Sequence, residues 1–296
     1  SSSWLSFLPM LTRWQPRPPR VLRLRVAAPW SGWPCQLRPP PVPSDAVVTS
    51  AVIPRCVGTV HVKSRTGTGT VQRGPQGLVL EAAGRGDVDG ILEVVRSCRD
   101  HLDPVSVATA MHRIAKVLRA GRQLRGHMRR RSLLEMREPL MRCAESFGPQ
   151  ALANCMWALA VMNSDDDELL RALSGAAAAQ VPYFRGAHIS NILWALATLS
   201  RSEDRLLPAL SAEVALRAHA REFSPQSMSS ILWSHATLRI WDAAVFERVG
   251  EAAVVAAQGF NAQDISNILW AFMMCPGVPV IRRFLLRSMA RAARER

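Results

Sequence analysis

Apolar residues fall at helical spacing through most of the chain from about residue 82 onward. Leu152, Met156 and Ala160 succeed one another every four residues, which puts them on one face of a 3.6-residue helix. The stripe returns as Ile189, Leu193 and Ala197, as Met228, Leu232 and Ala236, and as Ile265 and Leu269. A Phe opens each stretch (Phe147, Phe184, Phe223, Phe260). A Trp follows ten positions later (Trp157, Trp194, Trp233, Trp270), with Trp-to-Trp steps of 37, 39 and 37 residues. Pro149 and Pro225 stand at the first turn, where a missing N–H costs nothing. These stretches predict first helices ending near residues 162, 200, 239 and 275. After a polar link, as at 163–167 and 200–204, the pairs Leu169-Leu170, Leu206-Leu207 and Val245-Phe246 begin a second helix. Two helices per ~38 residues predict an all-α fold, an α-solenoid of about five helix pairs.

The units are expected near 102–146, 147–183, 184–222, 223–259 and 260–296. The first is the weakest copy. Pro104 matches Pro149, Thr109 matches Asn154, and His112 stands where the others carry Trp. Its step to the next copy is 45 residues, and the surplus lies in 113–131, expected as a loop between the two helices of that unit. Ahead of it, 87–95 reads as the second helix of a degenerate earlier unit or as a cap. Residues 81–296 are expected to form the repeat domain. Residues 1–80 are expected to be a disordered, transit-peptide-like segment and linker, with flexible loop at 66–70 and 73–77.

Comparing the copies separates positions that pack from positions that read. The apolar columns and the Trp column repeat, as packing requires. A polar column nearly repeats: Asn154, Asn191, Ser230 and Asn267. It serves either as a hydrogen-bond ladder between units or as contact to a ligand backbone. One column varies: Ser106, Ala151, His188, Ser227 and Asp264. It stands three residues before the Asn column and so shares its helical face. We expect it to be exposed and to contact bases, one side chain per unit. The column before it carries Gln150, Gln226 and Gln263, whose amides both donate and accept.

Charge changes this picture by its distribution. The net +14 divides into +9 over 1–80, +8 over 113–131 and +5 over 282–296, which leaves −8 for the rest. Arg122, Arg125, Arg129, Arg130 and Arg131 are therefore candidates for phosphate contact. Residues 1–44 hold six Arg, four Trp and no acid, the composition of an organelle transit peptide. The six cysteines form no C-x-x-C and have no spaced His partner, so no metal site is expected, and Cys155 and Cys275 read as reduced core thiols. No nucleophile stands beside a base at helical spacing. Catalytic residues, enzyme activity and cofactors are not expected. No run approaches the ~18 apolar residues of a membrane span, so no membrane insertion is expected.

The phrase Phe147-Gly-Pro-Gln-Ala-Leu-Ala-Asn-Cys-Met-Trp-Ala-Leu-Ala160, recurring through residues 102–296, resembles the octotricopeptide repeat. It also resembles the helical repeats of FAST-kinase-like and RAP-domain proteins and of RNA-editing substrate-binding complex proteins. His112 and the stretch from Ser230 to His235 depart from the pattern. The resemblance implies an α-solenoid that binds single-stranded organelle RNA, in the mitochondrial matrix or alternatively the plastid stroma. It implies a role in transcript stability, processing, editing or translation, with ribonucleoprotein partner proteins. The alternative is a protein–protein scaffold in an organellar ribonucleoprotein or ribosome, which an acidic repeat body would suit.

Overall fold

The computed structural model describes residues 58–294, except 65–66, 122–124, 204, 219–221 and 276. All of them lie in one compact unit, Val48–Arg296. The transit-peptide reading, with Cys35 and Cys56, lies outside the described residues, as does Arg122.

Strands β1 (Gly58–Ser64) and β2 (Gly67–Arg73) pair antiparallel, with Val60 opposite Val71. The loop expected at 66–70 is thus corrected over 67–70. Thr68, Thr70 and Val71 favour an extended, paired backbone, and that preference prevails over the interspersed glycines. The second expected loop is also corrected. Pro75 occupies a first helical turn, so helix α1 (Pro75–Gly84) begins before residue 81. With α2 (Val88–Ser97), capped by Asp87, it makes a complete helix pair ahead of the five expected ones.

Those five pairs follow. They are α3 (Pro104–Ala120) with α4 (Arg125–Cys143), α5 (Pro149–Val161) with α6 (Asp167–Ala178), and α7 (Gly186–Leu199) with α8 (Leu206–Arg217). Then come α9 (Pro225–Leu238) with α10 (Ala243–Val255) and α11 (Ala262–Met274) with α12 (Pro279–Arg294). First helices pack side by side in chain order, as do second helices, so the solenoid has two layers. The first layer is the more closely packed. Small residues make that possible. Ala153, Ser190 and Ser229 form one buried column, and Ala158, Ala195, Ser234 and Ala271 form another, which lets neighbouring backbones approach.

The surplus in 113–131 is not simply a loop. Helix α3 has 17 residues against 13 in α5, and α4 has 19 against 12 in α6. Lys116, Leu118, Arg119 and Ala120 are strong helix formers, so the insertion extends both helices.

Two units close on their own openers. Gln180 Nε2 donates to the Phe147 carbonyl at 2.8 Å, and Arg217 Nη1 donates to the Phe184 carbonyl at 2.6 Å. The opening Phe residues are buried, as are the pairs that begin the second helices. Between layers, size and polarity match from unit to unit. His235 stands where Leu159 and Leu196 stand, and its Nε2 lies 2.9 Å from Ser211 Oγ on the preceding second helix. Phe272 occupies the same position in the last unit, and it faces Gly250. A Cβ at Gly250 would come within 2.8 Å of Phe272 Cζ. The departure at His235 is therefore a local repacking against Ser211.

Candidate nucleic-acid interface

The second, sixth, ninth and thirteenth residues of each first helix, spaced by four, three and four, share one side of it, on which the second and thirteenth are exposed or half-buried and the sixth and ninth vary from buried to exposed. In α5 these are Gln150, Asn154, Trp157 and Val161. In α7 they are Ala187, Asn191, Trp194 and Thr198, and in α3 Val105, Thr109, His112 and Lys116. Because first helices lie side by side, the stripes adjoin and form one face of the layer.

That face is almost free of acid. Helices α3, α5, α7, α9 and α11 contain a single carboxylate, Asp264, which is buried. Its Oδ2 accepts the Asn261 N–H at 3.3 Å, and Asn261 Oδ1 accepts the Asp264 N–H at 2.9 Å, a reciprocal cap. The acids of the repeat body lie in the second helices and links instead, where arginines meet many of them. Arg131 bonds Asp89 at 2.5 Å and Glu135 at 2.8 Å, and Arg99 bonds Glu138 at 3.1 Å. Arg137 bonds Asp166 at 2.7 Å and also Glu168. Arg201 pairs with Asp167.

Two expectations are corrected here. The varying column was expected to be exposed, yet Ser106, Ser227 and Asp264 are buried, and Ala151 and His188 are half-buried. The column is the third residue of each first helix, next to its cap, where the backbone N–H is free of the helix's own ladder. Ser106 N–H donates to the Asp103 carboxylate at 2.6 Å, and Ser227 N–H to Ser224 Oγ at 3.1 Å. His188 Nδ1 accepts the Arg185 N–H at 3.3 Å. The phosphate candidates are also redistributed. Arg131 is held by carboxylates, Arg129 is half-buried, Arg130 is exposed on α4, and Arg125 begins that helix.

The Asn column divides. Asn267 Nδ2 donates to Ser229 Oγ of the preceding unit at 3.4 Å, and Gln263 Nε2 donates to Asn267 Oδ1 at 3.0 Å. The other links between first helices run through serines: Ser190 Oγ to Ser227 Oγ at 3.3 Å and Ser229 Oγ to the Asp264 carbonyl at 3.5 Å. Ser230, fully buried, carries no amide. Asn154 and Asn191 take no part in this ladder. Both are half-exposed, and neither side chain bonds another described residue. Two amides one unit apart are thus open to a ligand. Gln150 and Gln263 are exposed and Gln226 is half-buried on the same face.

The Trp column grades along the layer. Trp157 and Trp194 are each 6% exposed and pack as core, whereas Trp270 is 42% exposed and presents a ring. Trp157 meets the His112 ring edge-on at 5.3 Å, and the Arg119 guanidinium lies 5.8 Å over it. Burial, then Lys116 and Arg113, push the His112 pKa down to about 4, so the ring is neutral at physiological pH. Burial also lowers His188 and His235. The described cysteines 98, 143, 155 and 275 are buried thiols outside any disulfide, and burial raises the Cys155 thiol pKa.

Arg113, Lys116 and Arg119 were not singled out from the sequence. Extending the stripe from Thr109 through His112 by the same spacing reaches Lys116 and then Arg119. No family model and no curated protein matches the chain. No described helix is long and apolar enough to cross a membrane.

Proposed function

We propose that the chain is a non-enzymatic RNA-binding α-solenoid that holds single-stranded RNA along the first-helix layer. The observation that carries this reading is the segregation of charge. Apart from buried Asp264, helices α3, α5, α7, α9 and α11 hold no carboxylate, so their common face keeps amides, aromatic rings and cations with no acid among them, while both acids and arginines are plentiful in the second helices. Amides such as Asn154 and Asn191 can both donate to and accept from a base edge, and an A-form duplex would not offer such edges in its narrow major groove. The organelle setting, mitochondrial matrix or plastid stroma, and the role in transcript metabolism belong to the same proposal and rest on residues 1–44 and the resemblance of the repeat. A second reading, a scaffold for ribonucleoprotein partners, draws on the exposed Trp270, Met273 and Met274 of α11.

The test is binding to a short single-stranded RNA pool, to a duplex of equal length and to single-stranded DNA. Preference for single-stranded RNA, weakened about tenfold by Asn154→Ala with Asn191→Ala, is the expected result. Equal binding of all three nucleic acids, or no effect of the double substitution, would remove these amides from the reading.

A further inference from the structure

We propose that the free side of α3 is a phosphate anchor, the place where a bound RNA strand is held by charge. This rests on the RNA reading and assigns one end of the face a distinct task. Among the first helices α3, α5, α7, α9 and α11, the only Arg and Lys residues are Arg113, Lys116 and Arg119. All three lie on α3. Arg113 and Lys116 are half-exposed, and neither pairs with an acid among the described residues. Arg119 lies in the last turn, where the helix dipole favours a cation, but Arg113 is in mid-helix and has no such reason to be there. At 1.5 Å rise per residue, Arg113 and Arg119 are about 9 Å apart along the axis, room for successive phosphates.

The neighbouring helix backs the site. Trp157 is buried beneath it, where the Arg119 guanidinium lies 5.8 Å over the ring. His112 replaces the Trp of the other units and is neutral, so it sets an aromatic edge there without repelling the three cations. A strand anchored here would run toward α11 over helices that carry no Arg or Lys. Its salt-dependent contacts would concentrate at one end, and its amide and aromatic contacts would lie along the rest.

The experiment is the salt dependence of binding to a short single-stranded RNA, for the wild-type chain and for Arg113→Gln with Lys116→Gln. Arg119 is kept to preserve its packing on Trp157. Each lost phosphate contact removes about 0.7 from the slope of log affinity against log salt, so the double variant should lose about 1.4. Asn191→Ala should weaken binding with the slope unchanged. A double variant that binds with the wild-type slope overturns the anchor. Absence of wild-type binding at low salt overturns the RNA reading itself. If the double variant is unfolded by circular dichroism, Lys116→Gln alone decides, with an expected loss of about 0.7.

Discussion

Helix α5 contains no charged residue, while α6, the next helix of the same unit, contains Asp167, Glu168 and Arg171. Helices α7 and α9 likewise contain no Asp, Glu, Lys or Arg, whereas α3 carries three cations and α11 one buried acid. First helices touch neighbours on both sides through Ala, Ser and Leu columns, and their backbones lie close. Second helices are more loosely packed and carry the acids, which arginines of adjoining units bridge. Close packing favours small and apolar residues on the two sides of a first helix that meet its neighbours, so most of its polar groups lie on the side left free. A repeating phrase is therefore mostly a packing phrase, and its free stripe is where a ligand would be met.

Four measurements sharpen this contrast. The largest effect is expected in the first layer. Leu193 is fully buried, and Leu193→Ala should cost about 2–5 kcal/mol in denaturant unfolding, since little can move in to fill the space. Next is acid. The His112 pKa is 6.5 unfolded and about 4 folded, so its contribution is complete above 6.5 and is lost as pH falls toward 4. That loss should approach about 3 kcal/mol and should be absent in His112→Gln, as read by unfolding at a series of pH values. The contact between layers comes third. Gly250→Ala forces a methyl against Phe272 and should cost about 1–3 kcal/mol, recoverable in part by Phe272→Leu. The smallest effect is expected at the second-layer surface. Arg137→Ala breaks exposed pairs to Asp166 and Glu168 and should cost less than about 1 kcal/mol, diminishing with salt.

Periodicity made the helix pairs legible. The Phe and Trp columns placed four units, Pro149 and Pro225 placed the openings of two of them, and Pro104 placed that of the weaker first copy. What it could not show was which side of a column faces a neighbour. Ser106, Ser227 and Asp264 vary as reading positions would, but all three are buried beside the caps Asp103, Ser224 and Asn261, which their backbone N–H groups bond. The arginines of 113–131 look alike in sequence, yet Arg131 turns to Asp89 in a helix 42 residues earlier, while Arg113 and Lys116 stay on the other layer. Such pairings depend on long-range neighbours that local spacing does not encode. The β1–β2 hairpin was missed because its glycines mask an alternation of Thr and Val.

The most direct test uses the chain's two lysines, Lys63 in the β1 strand and Lys116 on the free stripe of α3. The protein is acylated with and without saturating single-stranded RNA, and labelling of each lysine is read by mass spectrometry. If RNA lies on the first-helix face, Lys116 is protected several-fold relative to Lys63. If RNA binds and Lys116 is labelled as fast as in the free protein, the strand lies elsewhere and the account is wrong.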